Sequence, residues 1–238
     1  ETFQPSTEYP ATDFNPSKTV DVMNWLRPAK MAGCNYAVFT AKHHFGWCAW
    51  PTATTTYDIA NATSGPTDLV DDFVTGCNTL GLKPVIYFSI ADREYNPDGT
   101  ADGGAAGTKY RMDGATALTY MKAQLTELLD GTYGDIYGIW LDVHGYIDNT
   151  QKVAVYDHIK SLQPDCVVLA NNNDSRLADE CTSIIDGTAD MFIAESVVIP
   201  AGYSLPIEET DKIVDTESWW GFTDTLTPTF TAQEIHDK

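Results

Sequence analysis

The chain has 238 residues, of which 43% are hydrophobic and 11% aromatic, enough for one large domain with a substantial core. Fourteen Lys and Arg against 34 Asp and Glu give a formal charge of −20. That balance excludes the clustered positive charge needed to bind nucleic acid or an anionic membrane, and suits a neutral small-molecule partner.

No apolar run approaches the ~18 residues that cross a bilayer, so a soluble chain is expected. The opening ETFQPSTEYP shows neither the basic nor the apolar region of a signal peptide. Five cysteines (Cys34, Cys48, Cys77, Cys166, Cys181) lack CxxC or zinc-ligand spacing and read as mostly buried free thiols. Sequons at Asn61 and Asn173 lean the expected location towards the extracellular side.

In chain order, Val20, Trp25, Leu26 and Ala29 recur at near-helical spacing, predicting a helix over 18–32 with Pro28 inside it and Gly33 at its end. NYAVFTAK (35–42) reads as a strand, Thr67 to Leu80 as a helix stopped by Gly81, and LKPVIYFSI (82–90) as a strand. A Gly- and Asp-rich loop (92–109) leads to a helix over 113–130. DIYGIWLDV (135–143) is a strand, TQKVAVYDHIKSL (150–162) a helix, and CVVLANN (166–172) a strand. Further strands are expected at ADMFIAES (189–196) and DKIVDTESWW (211–220).

About six strands alternating with helices imply right-handed βαβ units and a parallel sheet. Strand side chains alternate, so Ile86, Phe88 and Ile90 share one face while Val85, Tyr87 and Ser89 share the other. Likewise Tyr137, Ile139 and Leu141 oppose Gly138, Trp140 and Asp142. One apolar and one mixed face fit a (β/α)8 barrel, an α/β fold, better than an open sheet covered on both sides. The whole chain, 1–238, reads as one such domain. A complete barrel needs eight strands, so one is expected to be missing before residue 18 and at least one after residue 220. Open edges of that kind would favour self-association.

Active sites of such barrels lie at the C-terminal ends of the strands. Those ends carry Lys42-His43-His44, Asp92-Arg93-Glu94, Asp142-Val143-His144, Asn171 to Asn173, Glu195, and Glu217 with Trp219 and Trp220. His43 and His44 can both face the cleft only if the strand stops there, at Phe45-Gly46. Asp142, on the mixed face, is costly to bury unpaired; its plain alternative is an ion pair or a helix cap. The tryptophans suit either the core or the apolar faces of sugars. Two carboxylates on different strand ends with His and Trp around them make a glycosidase-like constellation. No cofactor is implied, and no metal, because HxH and HExxH spacings are missing.

FNPSKTVDVMNWLRPAKMAGCNYAVFTAKHHFGWCAWPT resembles the FNPT…W…AK.AG.KY.VLT.KHHDGF.LWPS signature of the α-L-fucosidases of glycoside hydrolase family 29. DLVDDFVTGCNTLGLKPVIYFSIADREYNP, YGDIYGIWLDVHG and IKSLQPDCVV resemble further family segments, and the likeness runs from about residue 8 to 222. ADREYNP is similar to the branch acting on α-1,3/1,4-linked fucose.

The resemblance implies a retaining hydrolase of terminal α-L-fucose on a fucosylated oligosaccharide or glycoconjugate. Asp142 is then the nucleophile and Glu195 the general acid/base, with Glu209 and Glu217 in reserve. His43 and His44 read fucose hydroxyls, and Trp50, Tyr87, Trp140 and Trp220 line the substrate pocket. Two departures stand out: Phe45 where the motif has Asp, and Val143 where WFDG has Gly. They leave open a binding barrel without turnover, a glycosidase of different sugar specificity, or a fragment of a longer enzyme.

Overall fold

Alternation along each central strand becomes an inside and an outside once the strands are paired. The structure, a computed structural model, describes residues 5–16, 19–95, 115–144, 147–171, 188–194, 206–209, 214–215 and 227–228. In chain order these form α1 (Pro5–Glu8), α2 (Met23–Met31), β1 (Tyr36–Lys42), α3 (Leu69–Leu80), β2 (Lys83–Ser89) and α4 (Ala115–Leu129). β3 (Gly138–Asp142), α5 (Asn149–Leu162), β4 (Val167–Asn171), β5 (Met191–Ala194) and β6 (Ile207–Glu209) follow. The six strands make one sheet in the order β1-β2-β3-β4-β5-β6, every pair parallel. A doubly wound sheet reverses its order at a switch point; unbroken sequential order belongs to the (β/α) barrel, here with six of its strands described.

Local chemistry explains the helix ends. Asp68 caps α3 by accepting from the backbone N–H groups of Val70 and Asp71, and Gly81 closes it at φ 63°. Asp148 and Gln151 form a reciprocal capping box at the start of α5. The predicted first helix starts later than expected, at Met23, whose N–H donates to Asp21 Oδ1 at 3.0 Å. Pro28 lies inside α2 and Gly33, at φ 89°, follows its end.

Ile86, Phe88, Ile139, Leu141 and Val168 pack outward with α3, α4 and α5 in the main core. Val85, Tyr87, Trp140, Leu169 and Ile193 form a second buried cluster on the opposite face, the barrel interior. Val38 and Thr40 pair in register with Val85 and Tyr87 and so belong to the same interior face, yet Val38 is 42% exposed. β1 and β6 are the edges of the described sheet. Cys48, Cys77 and Cys166 are buried free thiols as expected, but Cys34 is exposed; Cys181 lies outside the described residues.

One expected strand is corrected. The sixth strand of the sheet is Ile207–Glu209, not 211–220. Within the latter range, β7 (Val214–Asp215) pairs antiparallel with β8 (Thr227–Pro228) in a separate ribbon. The segment Ile207–Glu209 has two glutamates in three residues and no apolar alternation, so its place rests on pairing with Phe192 to Ala194.

Candidate active site

At the end of β1 the pairing register shifts between Thr40 and Lys42, which turns Lys42 outward. It is fully buried there: Nζ donates to Asp92 Oδ2 at 3.1 Å and Gln124 Oε1 at 2.8 Å, and lies 4.2 Å from the centre of the Phe88 ring. Lys42 and Asp92, grouped with the strand-end chemistry by sequence, are therefore a structural pair. The chain then leaves the strand through a turn in which the Gly46 N–H donates to His43 O at 2.9 Å. Gly46 has φ 86°, and a Cβ there would lie 2.2 Å from Asp92 Oδ1, so both the turn and the close approach require glycine. Because the strand stops, both imidazoles stand on one side, with ring centres 4.0 Å apart.

Asp142 ends β3, beside them. Its Oδ1 accepts from Asn171 Nδ2 at 3.0 Å and from the Val143 N–H at 2.9 Å, and its Oδ2 accepts from the Tyr87 hydroxyl. Asn171 is the register partner of Asp142 on β4, and Ser89 its partner on β2, so parallel pairing itself assembles the group. The Tyr87 ring stacks between His43 (5.8 Å) and Trp140 (5.1 Å). Val143 takes φ 50°, a strained region for a β-branched residue, and that turn directs its N–H back to the carboxylate.

His44 Nε2 lies 3.5 Å from Asp142 Oδ2, and Nδ1 lies 2.6 Å from Ser89 Oγ. The Ser89 hydroxyl donates its one proton to Ala91 O at 2.8 Å, so it receives from His44 Nδ1–H. This assigns the tautomer from its partners and leaves Nε2 as an acceptor. Burial lowers the pKa of His43, with the Asp142 charge opposing and the Arg93 charge assisting. Burial pushes His44 down to about 4, helped by the neighbouring His43 and by Arg93 and Lys42, against Asp142. Both rings are thus neutral at pH 7, able to donate and accept hydrogen bonds. His43, His44 and Asp142 also present ligand atoms all within 4.8 Å of one another, a spread that a divalent transition metal could bridge.

Of the sequence-predicted residues, His43, His44, Tyr87, Trp140 and Asp142 converge. Trp50 does not: it is 1% exposed in the outward core, and its Nε1 donates to Glu127 Oε2 at 2.9 Å, so its assignment to the pocket is corrected. Its indole fills the layer between sheet and helix instead. Glu195, Glu217 and Trp220 lie outside the described residues; Glu209 is the last residue of β6, in register with Ala194. Ser89 was not singled out, although its parity with Tyr87 at a strand end was a usable signal. Asn171 stood among the strand-end residues without a role.

The family model described as Alpha-L-fucosidase matches residues 1–236. Alpha-L-fucosidase 1 of Arabidopsis thaliana is 28% identical over 166 residues, covering 66% of this chain and 29% of that protein. Among solved structures, the alpha-L-fucosidase AlfC from Lactobacillus casei, in complex with alpha-L-fucose product, superposes with a TM-score of 0.71 at 25% identity. That match covers 98% of this chain and 72% of AlfC. A glycoside hydrolase 29 family member from an unknown rumen bacterium gives a TM-score of 0.56 at 30% identity, covering 77% of this chain and 31% of that one. The chain thus spans less than a third of the Arabidopsis relative.

Proposed function

Because this chain belongs to the alpha-L-fucosidase family, we propose that its barrel mouth binds a terminal α-L-fucose and hydrolyses it from a glycan with retention of configuration. The observation that carries this reading is the convergence of Asp142 with His43, His44, Tyr87 and Trp140 from three neighbouring strands. His44 Nε2 accepts from one sugar hydroxyl, and the His43 ring beside it orients the pyranose. Oδ1 holds two hydrogen bonds, from Asn171 and the Val143 N–H, and Oδ2 one, from the Tyr87 hydroxyl, so Oδ2 is the oxygen better placed to attack.

Attack forms a bond from Asp142 to the anomeric carbon as the glycosidic C–O bond breaks, and Glu195 gives its proton to the leaving oxygen. Water then yields a proton to Glu195 and its oxygen bonds to the same carbon, releasing the Asp142 carboxylate. Two inversions give net retention, which requires the carboxyl groups to lie about 5–5.5 Å apart.

Nitrophenol release from an aryl α-L-fucoside, beside an Asp142→Asn control, tests the reading. The expected result is turnover that falls by about 10³-fold or more in the control, with the α-anomer of fucose appearing first by proton NMR. Turnover unchanged by Asp142→Asn, or β-fucose appearing first, overturns it. A second reading, fucose binding without turnover, is favoured by Val143 standing at φ 50° where the family motif has glycine. It predicts fucose binding and no nitrophenol.

A further inference from the structure

We propose that Phe45 and Tyr9 form a second sugar subsite, which takes the neutral monosaccharide to which the fucose is linked. The inference rests on the fucose pocket proposed above and extends it outward. Phe45 follows the histidine pair directly and is 37% exposed; Tyr9, from the segment after α1, is 52% exposed. Their rings meet edge to face, 6.5 Å apart at 73°. The Arg93 guanidinium lies 5.1 Å from the Phe45 ring centre, and its charge also reaches both histidines. The aromatic pair is therefore continuous with the mouth of the pocket.

The backbone flanking Phe45 is pinned, and the helix before Tyr9 is tied to the same loop. The Arg93 N–H donates to His44 O at 2.8 Å, Gly46 packs on Asp92, and Ser6 holds Glu94 through both its N–H (3.0 Å) and its hydroxyl (2.5 Å). An exposed aromatic ring on a pinned backbone has few torsions left to lose when a ligand covers it. The axial C–H groups of a pyranose present an apolar face to such a ring while its hydroxyls meet donors at the edge, here Arg93. The chain's net charge of −20 repels an acidic sugar, so the occupant is a neutral hexose or N-acetylhexosamine. The family motif has Asp at the position of Phe45, so the platform is a property of this chain.

The test is titration calorimetry with methyl α-L-fucoside and with an uncleavable S-linked fucosyl-(1→3)-N-acetylglucosamine, using the wild type, Phe45→Ala and Phe45→Trp. The disaccharide is expected to bind the wild type about fivefold more tightly than the methyl fucoside. Phe45→Trp keeps that advantage and Phe45→Ala removes it, with a smaller loss on the methyl fucoside; circular dichroism checks that both variants fold. Equal affinity of the wild type for the two ligands, or an advantage surviving Phe45→Ala, overturns the subsite and leaves the fucose pocket standing. Failure of the folded wild type to bind either ligand overturns the pocket, and the subsite with it.

Discussion

Lys42→Met tests whether the buried pair behind the histidines holds this end of the barrel. The substitution keeps the stem against Phe88 and removes the ammonium, leaving the Asp92 side chain, which has no exposed surface, without its counter-ion. Removing one partner of a buried pair costs about 3–5 kcal/mol, because the remaining charge loses its counter-ion without regaining water. Asp92 would still accept from the N–H groups of Glu94 (2.9 Å) and Tyr95 (3.0 Å) and from the Tyr120 hydroxyl (3.1 Å). Three remaining donors place the loss near the lower end, about 3 kcal/mol, still a large part of the roughly 5–15 kcal/mol typical of a domain.

Urea unfolding followed by circular dichroism reads this as a lower midpoint at constant slope. The double variant Lys42→Met with Asp92→Asn, which removes both charges, is expected to recover part of the loss. A midpoint for Lys42→Met within about 1 kcal/mol of wild type, or a double variant weaker than the single one, would refute the reasoning.

Val143 supplies a comparison in which the usual order of residues inverts. Alanine normally stabilises over glycine, but at φ 50° Val143→Gly should be more stable than Val143→Ala by about 1 kcal/mol, measured by thermal unfolding. Acid should also destabilise the fold through its buried histidines. Burial holds His144 at about 3, and neither of its ring nitrogens has a hydrogen-bond partner among the described residues; His44 is held at about 4. Both folded values lie below the ordinary 6.5, so the unfolded chain takes up these protons first and stability falls as pH drops from about 6.5 towards 4. Each histidine contributes about 1.4 kcal/mol per pH unit across that window. Urea midpoints at pH 6.5 and 5 check the slope, and His144→Leu should flatten it by one proton; an unchanged slope would exclude His144.

Sequence alone determined the strands and helices from Tyr36 to Asn171, because period-2 and period-3.6 patterns, Asp caps and the glycines at 33 and 81 act through neighbouring residues. It also placed His43, His44 and Asp142 at strand ends, and Tyr87 with Ser89 and Trp140 with Asp142 on shared faces, since parity along a strand fixes which side chains lie together. Tertiary structure decided the rest. Lys42 and Trp50 carry the same residue types as a site, and only the register shift in β1 and the approach of α4 send them into the outward layer. Ser89 and Asn171 gain their roles from parallel register with Asp142, a contact between residues 53 and 29 positions away that no local pattern encodes. The short polar strand Ile207–Glu209 shows the same limit, because its hydrogen-bond partners on β5, and not its own side chains, make it a strand.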